Sequence, residues 1–367
     1  MERYYFDHNA TTPVAPAVID AMLPLLRDGF GNASSIHQPG QQAKQALEKA
    51  RRQTAAFLNC SPKEIVFTSG GTEADNLAIL GVPRGHIVTT NIEHPAILGA
   101  CRDLDVTYLE ADATGVIQPW TLRDAIRPST VLVSVMHANN ELGTVQDIEI
   151  LACVARDNGA LFHSDGVQAA GKVRMPIRSV DLYSISGHKL NAPKGIGALY
   201  VRKGVELSAR QFGGRHESGR RAGTENVPGA VALGEACDLR RDNKTIGALT
   251  DRLEKGILAK VPQTIVNGAN APRVPNTTNI RFAGIEGEAM VIALDLRGFA
   301  VSSGAACSSG AVEPSHVLTA IGLTREEAKA SIRFSLGLGN TIEQVDALID
   351  AVVASAAHLR RLSPVYA

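Results

Sequence analysis

A strand-like run leads directly into glycines and then into a helical pattern at residues 65–75, IVFTSGGTEAD. The β-branched and aromatic residues of IVFT favour a buried strand, and the small residues after it favour a tight turn into a helix. Similar runs, separated by helical stretches, follow at 86–89, 106–109, 131–134, 161–163 and 182–185. This alternation predicts a large α/β domain with a mostly parallel sheet flanked by helices.

The pattern changes beyond about residue 260. Strand-like and helical segments now mix without regular alternation, at 278–282, 287–296, 300–302 and 331–335. Such a mixture is typical of a smaller α+β domain. We therefore expect a large domain at 16–257 and a small domain formed by 1–15 and 258–367.

Composition excludes several classes of protein. The chain has 367 residues, and Lys plus Arg equal Asp plus Glu at 37 each, so no basic excess indicates direct nucleic-acid binding. No segment approaches the run of about 20 apolar residues that crosses a membrane, and the start, MERYYFDHNATT, lacks the apolar core of a signal peptide. A cytoplasmic location is the simplest interpretation. The widely spaced cysteines argue against a disulfide framework or a structural zinc site, at Cys60, Cys101, Cys153, Cys237 and Cys307.

Ligands of such sheets gather at the carboxyl ends of the strands. After the first strand, Gly71 and Thr72 open a helix whose free N–H groups could bind a phosphate, with Thr72 and Asp75 placed as a capping box. An ordinary capped helix explains the same residues. After the next strand, His94 could stack over a planar cofactor and exchange protons, or be a simple packed histidine.

Two further strands end in polar groups, at HANNELG (137–143) and HSDGVQ (163–168). Burial of Asp165 without a cation would cost about 3–5 kcal/mol, so a pyridinium nitrogen would suit it, although it could also cap a helix. The run from Gly166 to Lys172 imitates the phosphate-binding G-x-x-x-x-G-K loop. However, Val173 follows it without a hydroxyl for Mg²⁺, which argues against an NTPase.

Three reactive groups complete the candidates. Lys189 follows a strand within SGHK (186–189), where it could form a Schiff base with an aldehyde cofactor while its neighbours hold a phosphate. Cys307 lies among small residues in VSSGAACSSG (301–310), which predicts an open, mobile loop suited to a nucleophile, or alternatively a buried cysteine in a tight turn. Arg333 could clamp a substrate carboxylate, or form a surface ion pair.

Together these motifs resemble the cysteine desulfurases of iron–sulfur cluster assembly and nitrogen fixation. They form a branch of the class-V aminotransferase family and have the fold of type I pyridoxal-phosphate enzymes. The resemblance covers nearly the whole chain, from YFDHNATTP (5–13) to SIRFSLG (331–337). It implies a seven-stranded sheet in a large cofactor-binding domain. It also implies conversion of L-cysteine to L-alanine, with the sulfur transferred to Cys307 as a persulfide.

The resemblance implies a role for each residue around the ring of pyridoxal 5′-phosphate. Lys189 would bind the aldehyde, Asp165 the pyridine nitrogen and Gln168 the phenolate oxygen. His94 would stack on the ring and serve with Lys189 and Cys307 in catalysis, and Asn140 would contact the cofactor.

The phosphate would be held by residues of three segments: Gly71, Thr72, Ser186, Gly187 and His188. The resemblance further implies a homodimer, in which Thr224 crosses to the phosphate of the neighbouring site. Arg333 would bind the carboxylate of the substrate. No intrinsic metal site is implied, although Cys307 would contact an iron–sulfur cluster transiently.

The chain departs from the family's commoner forms without losing a reacting group. Asn191 and Ala192 stand where Tyr-Gly is frequent, and Ser308 follows Cys307 in place of Thr. The short end after the final helix leaves open whether the sulfur acceptor is an iron–sulfur scaffold or another protein. The alternatives are a selenocysteine lyase, another lyase or aminotransferase of this fold, or a non-catalytic binding module.

Overall fold

The computed structural model describes residues 2–303 and 313–362. The strands in these ranges are β1 Tyr4–Tyr5, β2 Ile65–Thr68, β3 His86–Thr90, β4 Val106–Leu109, β5 Thr130–Ser134, β6 Leu161–Asp165, β7 Leu182–Ser186, β8 Gly197–Val201, β9 Thr264–Val266, β10 Thr277–Phe282, β11 Phe299–Ala300 and β12 Ser331–Ser335. The helices are α1 Pro16–Arg27, α2 Gln38–Phe57, α3 Gly71–Gly81, α4 Pro95–Ala100, α5 Pro119–Ala125, α6 Ile148–Asp157, α7 Val227–Asp238, α8 Asn243–Lys260, α9 Gly287–Asp295, α10 His316–Ala320, α11 Arg325–Lys329 and α12 Ile342–Leu362.

The large sheet has seven strands in the order β2-β8-β7-β6-β5-β3-β4. Only β8 runs antiparallel to its neighbours, β2 and β7. The prediction of a mostly parallel sheet flanked by helices is therefore confirmed. The carboxyl ends of β2, β3, β5, β6 and β7 meet at one edge, which is where the sequence places its polar candidates.

Both faces of this sheet are buried, as its apolar strands predict. Alternate residues of β7 illustrate the two faces, because Leu182 joins the core under α3 and α4 while Tyr183 and Ile185 join the core under α2, α6 and α7. Packing is tight beside Tyr183. A Cβ added to Gly166 would lie only 2.0 Å from the Tyr183 ring, so only glycine fits there.

A separate core lies around the three-stranded sheet of β9, β10 and β12. Helices α8, α9 and α12 cover this core. The N-terminal segment packs on it as well, since Phe6 is fully buried there and β1 pairs in parallel with β11. From this core the segment passes Asp7, which bridges to Ser335, and reaches the edge of the large sheet.

The capping box expected from Thr72 and Asp75 is wrong. Gly70 occupies the N-cap position of α3, and no side chain caps this helix. Thr72 and Asp75 both lie inside the helix, and Asp75 is buried. Within residues 2–303 and 313–362, no helix is both long and apolar enough to cross a membrane.

Candidate active site

A cavity of about 420 Å³ opens at the carboxyl edge of the large sheet. Ten of the residues predicted for the ligand site line it, namely Gly71, Thr72, His94, Asn140, Asp165, Gln168, Ser186, His188, Lys189 and Arg333. These residues come from six separate segments of the chain. The position at the strand ends is where α/β sheets bind their ligands.

Lys189 stands in a short turn after β7 and extends its amine into the cavity. Its Nζ donates hydrogen bonds to the carbonyl oxygens of Asn9 and Ala10, the second at 2.7 Å. Burial, together with the positive charge of Arg333, lowers the pKa of Lys189 to about 8. A substantial fraction of this amine is therefore neutral near pH 8, as attack on an aldehyde requires.

Asp165 ends β6 and is buried beside the cavity. One carboxylate oxygen accepts a hydrogen bond from the backbone N–H of Val167 at 2.9 Å. Burial raises the pKa of Asp165, although the charges of His94 and Lys189 oppose that rise. The described residues supply no ion-pair partner for this carboxylate, so a cationic ring nitrogen in the cavity would relieve its burial cost.

His94 occupies the N-cap of α4 and lines the same cavity. Its Nδ1 accepts the backbone N–H of Ala96 at 3.1 Å, which fixes the ring. Burial lowers the pKa of His94, so the neutral ring carries its proton on Nε2. A ring held in this way can donate its Nε2 proton, and it accepts a proton only at Nδ1, in exchange for the hydrogen bond from Ala96.

The start of α3 forms one end of the cavity. Gly71 is the first residue of this 11-residue helix, and a Cβ there would lie 2.8 Å from Cγ2 of Val167. The bare backbone therefore leaves room that a side chain would fill. The hydroxyls of Thr72 and Ser186 and the ring of His188 line this end, and together with uncapped helix N–H groups they suit a phosphate.

Arg333 enters from β12, on the opposite side. Its Nη1 donates to the carbonyl oxygen of Asn140 at 3.0 Å, and its Nη2 donates to the Asp7 carboxylate at 2.7 Å. Nε is buried without a hydrogen-bond partner among the described residues. The alternative of a surface ion pair is wrong, because the Arg333 side chain is only 7% exposed.

Two of the predicted residues lie elsewhere, and a third is not described. Gly187 is the buried first residue of the turn that carries Lys189 and does not line the cavity. Thr224 is exposed in a loop before α7 and does not reach the cavity of its own chain. Cys307 lies outside the described residues.

Sequence reasoning missed other parts of the cavity wall. Asn9, Ala10, Asp75, Met136 and Val167 all line it. Asn9 and Ala10 belong to YFDHNATTP (5–13), the motif at which the family resemblance begins. This polar segment was the sequence signal that could have identified them as cavity residues. Among the described residues, no group of three or more His, Cys, Asp or Glu side chains could hold a metal ion.

The fold and the cavity define a type I pyridoxal-phosphate enzyme, in which a lysine, a buried acid and a bare helix start surround one ligand site. The family model "Aminotransferase class-V" matches residues 4–348. A cysteine desulfurase from Gluconacetobacter diazotrophicus is 48% identical, over 99% of this chain and 96% of the relative. A cysteine desulfurase IscS from Methanosarcina thermophila is 45% identical, over 98% and 93%. The solved NifS-like protein from Rickettsia africae is 33% identical and superposes with a TM-score of 0.89, over 97% of this chain and 100% of that one. The chain therefore belongs to the cysteine desulfurases of the class-V aminotransferase family.

Proposed function

We propose that this chain uses pyridoxal 5′-phosphate to convert L-cysteine to L-alanine and transfers the sulfur to its own Cys307 as a persulfide. One observation carries the proposal: Lys189, Asp165 and Arg333 line a single cavity. A reactive amine, a partner for a ring nitrogen and a partner for a carboxylate are the three groups that an amino acid bound to this cofactor needs.

When bound, pyridoxal phosphate would supply an aldehyde for the substrate amine and a ring that takes up electrons from the α-carbon. Lys189 would hold the aldehyde before substrate arrives, and as a free amine would then move the proton of the α-carbon. Asp165 would keep the ring nitrogen protonated, and Gln168 would bind the ring oxygen. His94 would pack against the ring, and Asn140 would contact its edge.

The phosphate would lie at the bare start of α3, bound by Gly71, Thr72, Ser186 and His188, with Gly187 shaping the turn behind them. Arg333 would bind the substrate carboxylate and so orient the sulfur. The free Nε–H of Arg333 supports this role, because a buried donor without a partner gains most from an anionic ligand.

Cys307 would attack the substrate sulfur as a thiolate. An S–S bond forms as the Cβ–S bond breaks, and the carbon fragment takes up protons to leave as alanine. His94 is the group proposed to promote ionisation of a thiol, because its ring lines the cavity and its Nε2–H can donate a hydrogen bond to the thiolate.

Both flanks of the undescribed stretch start beside the cavity. The backbone of Ser302 pairs with that of Arg333, at 2.7 and 3.2 Å. On the other side, Ser315 Oγ donates to the carboxylate of Glu141 at 2.5 Å. Five residues of extended chain span at most about 18 Å, a length that permits the proposed attack by Cys307.

The remaining assignments rest on the resemblance. We propose a homodimer in which Thr224 binds the phosphate of the partner's site, which its exposure permits. The large domain would be 16–257, and the small domain 1–15 with 258–367. The sulfur acceptor would be an iron–sulfur scaffold or another thiol protein, and a cytoplasmic location stays a prediction.

The decisive experiment supplies L-cysteine and a reductant to the holoenzyme and measures alanine and sulfide together. The wild type should release equal amounts of both. Cys307→Ser should retain the bound cofactor and release almost no sulfide, because the sulfur has no acceptor. Cys153→Ser is the matched control, since Cys153 is an exposed free cysteine. Sulfide release by Cys307→Ser at the wild-type rate would contradict the proposal.

A further inference from the structure

The G-x-x-x-x-G-K run identified in the sequence ends in a lysine whose amine lies behind the cavity wall. Nζ of Lys172 donates hydrogen bonds to Oε1 of Gln168 at 2.9 Å and to Oδ1 of Asn9 at 3.2 Å. Lys172 itself does not line the cavity, whereas Gln168 and Asn9 both do. Its amine therefore touches two residues of the site without touching the ligand volume.

The first contact determines which end of the Gln168 amide faces the ligand. Nε2 of Gln168 donates to the backbone oxygen of Asn9 at 2.9 Å. A flipped amide would place its N–H groups against the Lys172 amine and its oxygen against the Asn9 carbonyl, which exchanges two hydrogen bonds for two repulsive contacts. With Oε1 occupied by Lys172, the second N–H of Nε2 is left for the cavity.

The second contact acts on the resting position of Lys189. Asn9 Oδ1 accepts from Lys172 and from Nδ2 of Asn276 at 3.1 Å. The Asn9 amide thus stays fixed, and its backbone oxygen accepts the Nζ–H of Lys189. The Lys172 amine thereby holds both Gln168 and Asn9, and Asn9 is a hydrogen-bond partner of Lys189.

We propose that Lys172 is a positioning residue, which locks the Gln168 amide so that an N–H donor faces the cofactor's ring oxygen. This inference rests on the proposed function, since the ring oxygen belongs to the proposed cofactor. The P-loop-like motif then has a purpose other than phosphate binding. Its lysine donates a hydrogen bond to an amide four residues earlier, in the turns that follow β6.

The arrangement holds in either charge state of Lys172. Burial, followed by the positive charges of Lys189, Arg333 and Arg241, lowers the pKa of Lys172 to about 7. A neutral amine retains two N–H groups, and Lys172 makes two hydrogen bonds here. Donation to Gln168 therefore survives loss of the proton.

The test measures the visible absorbance of the bound cofactor as a function of pH in the holoenzyme. Lys172→Met should raise the midpoint of the absorbance change by about one pH unit, because loss of an oriented donor makes the ring oxygen more basic. Gln168→Ala should produce a similar rise. The double variant should shift no further than the larger single shift, because both changes remove the same hydrogen bond.

Two controls accompany the cycle. Lys244→Met removes an exposed lysine of α8 and should leave the midpoint unchanged. Lys172→Arg keeps the donors and should restore much of the wild-type midpoint. Two outcomes would overturn the proposal and show that Lys172 has only a structural role. One is that the pH midpoint shifts of the single variants add in the double variant. The other is that Lys172→Met leaves the midpoint unchanged but lowers the melting temperature. A wild type without any cofactor band would instead refute the proposed function.

Discussion

Arg333→Lys should separate carboxylate binding from the rest of the reaction. The guanidinium already uses Nη1 on Asn140 and Nη2 on Asp7, which leaves the buried Nε–H and the remaining Nη–H groups for a substrate. A lysine ammonium could still pair with Asp7. It could not also present two parallel donors to a second carboxylate.

The magnitude follows from the lost hydrogen bonds. A charged hydrogen bond contributes about 1.5–3 kcal/mol, so loss of one or two costs about 3 kcal/mol, or about a hundredfold in kcat/KM for L-cysteine. Cysteamine, which is L-cysteine without its carboxylate, cannot use this contact. Its own kcat/KM should barely change, so the preference for L-cysteine over cysteamine should fall by about the same hundredfold.

Alanine release from L-cysteine and sulfide release from both substrates provide the assay, with cofactor absorbance to verify that the site is intact. Arg281→Lys is the matched control, because Arg281 lies on neighbouring β10 and pairs with Glu327 away from the cavity. The reasoning is refuted if Arg333→Lys keeps kcat/KM for L-cysteine within threefold of wild type, or if both substrates lose activity equally.

Three further predictions concern protonation and packing. Uptake of pyridoxal phosphate by the cofactor-free protein, measured by stopped-flow absorbance, should accelerate as the pH rises through the lowered pKa of Lys189, about 8, and then level off. The reason is that only the neutral amine attacks the aldehyde. A rate that continues to rise toward pH 10.5 would contradict this prediction. Asp165→Asn should raise the melting temperature of the cofactor-free protein at neutral pH, because burial raises the pKa of Asp165 and the folded state loses stability as the pH rises above the pKa of the unfolded state. The variant should nevertheless bind the cofactor more weakly in an absorbance titration. A lower melting temperature would count against this argument. Gly166→Ala should lower the free energy of unfolding, measured in urea, by at least about 3 kcal/mol, because its Cβ would meet the Tyr183 ring. The control Gly99→Ala should be tolerated, because the space around Gly99 is open. Equal stability of the two variants would refute the packing argument.

The sheet could be predicted because its strands carry their own signal. Apolar β-branched runs such as Ile65–Thr68 are buried on both faces, so each run is legible without knowledge of its neighbours. Strand order is not encoded in any single run. The antiparallel strand β8 was not among the predicted runs, although its short connection from β7 contains no crossover helix and therefore favours an antiparallel pair.

The residues of the site could be predicted from the sequence where they directly follow strands. His94, Asp165 and Lys189 each come directly after one, and parallel strands bring their ends together. Asn9 could not be placed in this way, because its position depends on hydrogen bonds to Thr277 and Ser335, more than 250 residues along the chain. The error at Thr72 has another cause, since helix starts that bind ligands leave the N–H groups uncapped.

The pocket closes only through residues from opposite ends of the chain, because Asn9 hydrogen-bonds Ser335 while Arg333 holds Asp7. During synthesis the first ten residues leave the ribosome long before their partners on β12. Until those partners emerge, the amine of Lys189 lacks the Asn9 carbonyl in its final place, and the carboxylate-binding arginine is absent. A complete cavity therefore requires that almost the whole polypeptide has been made.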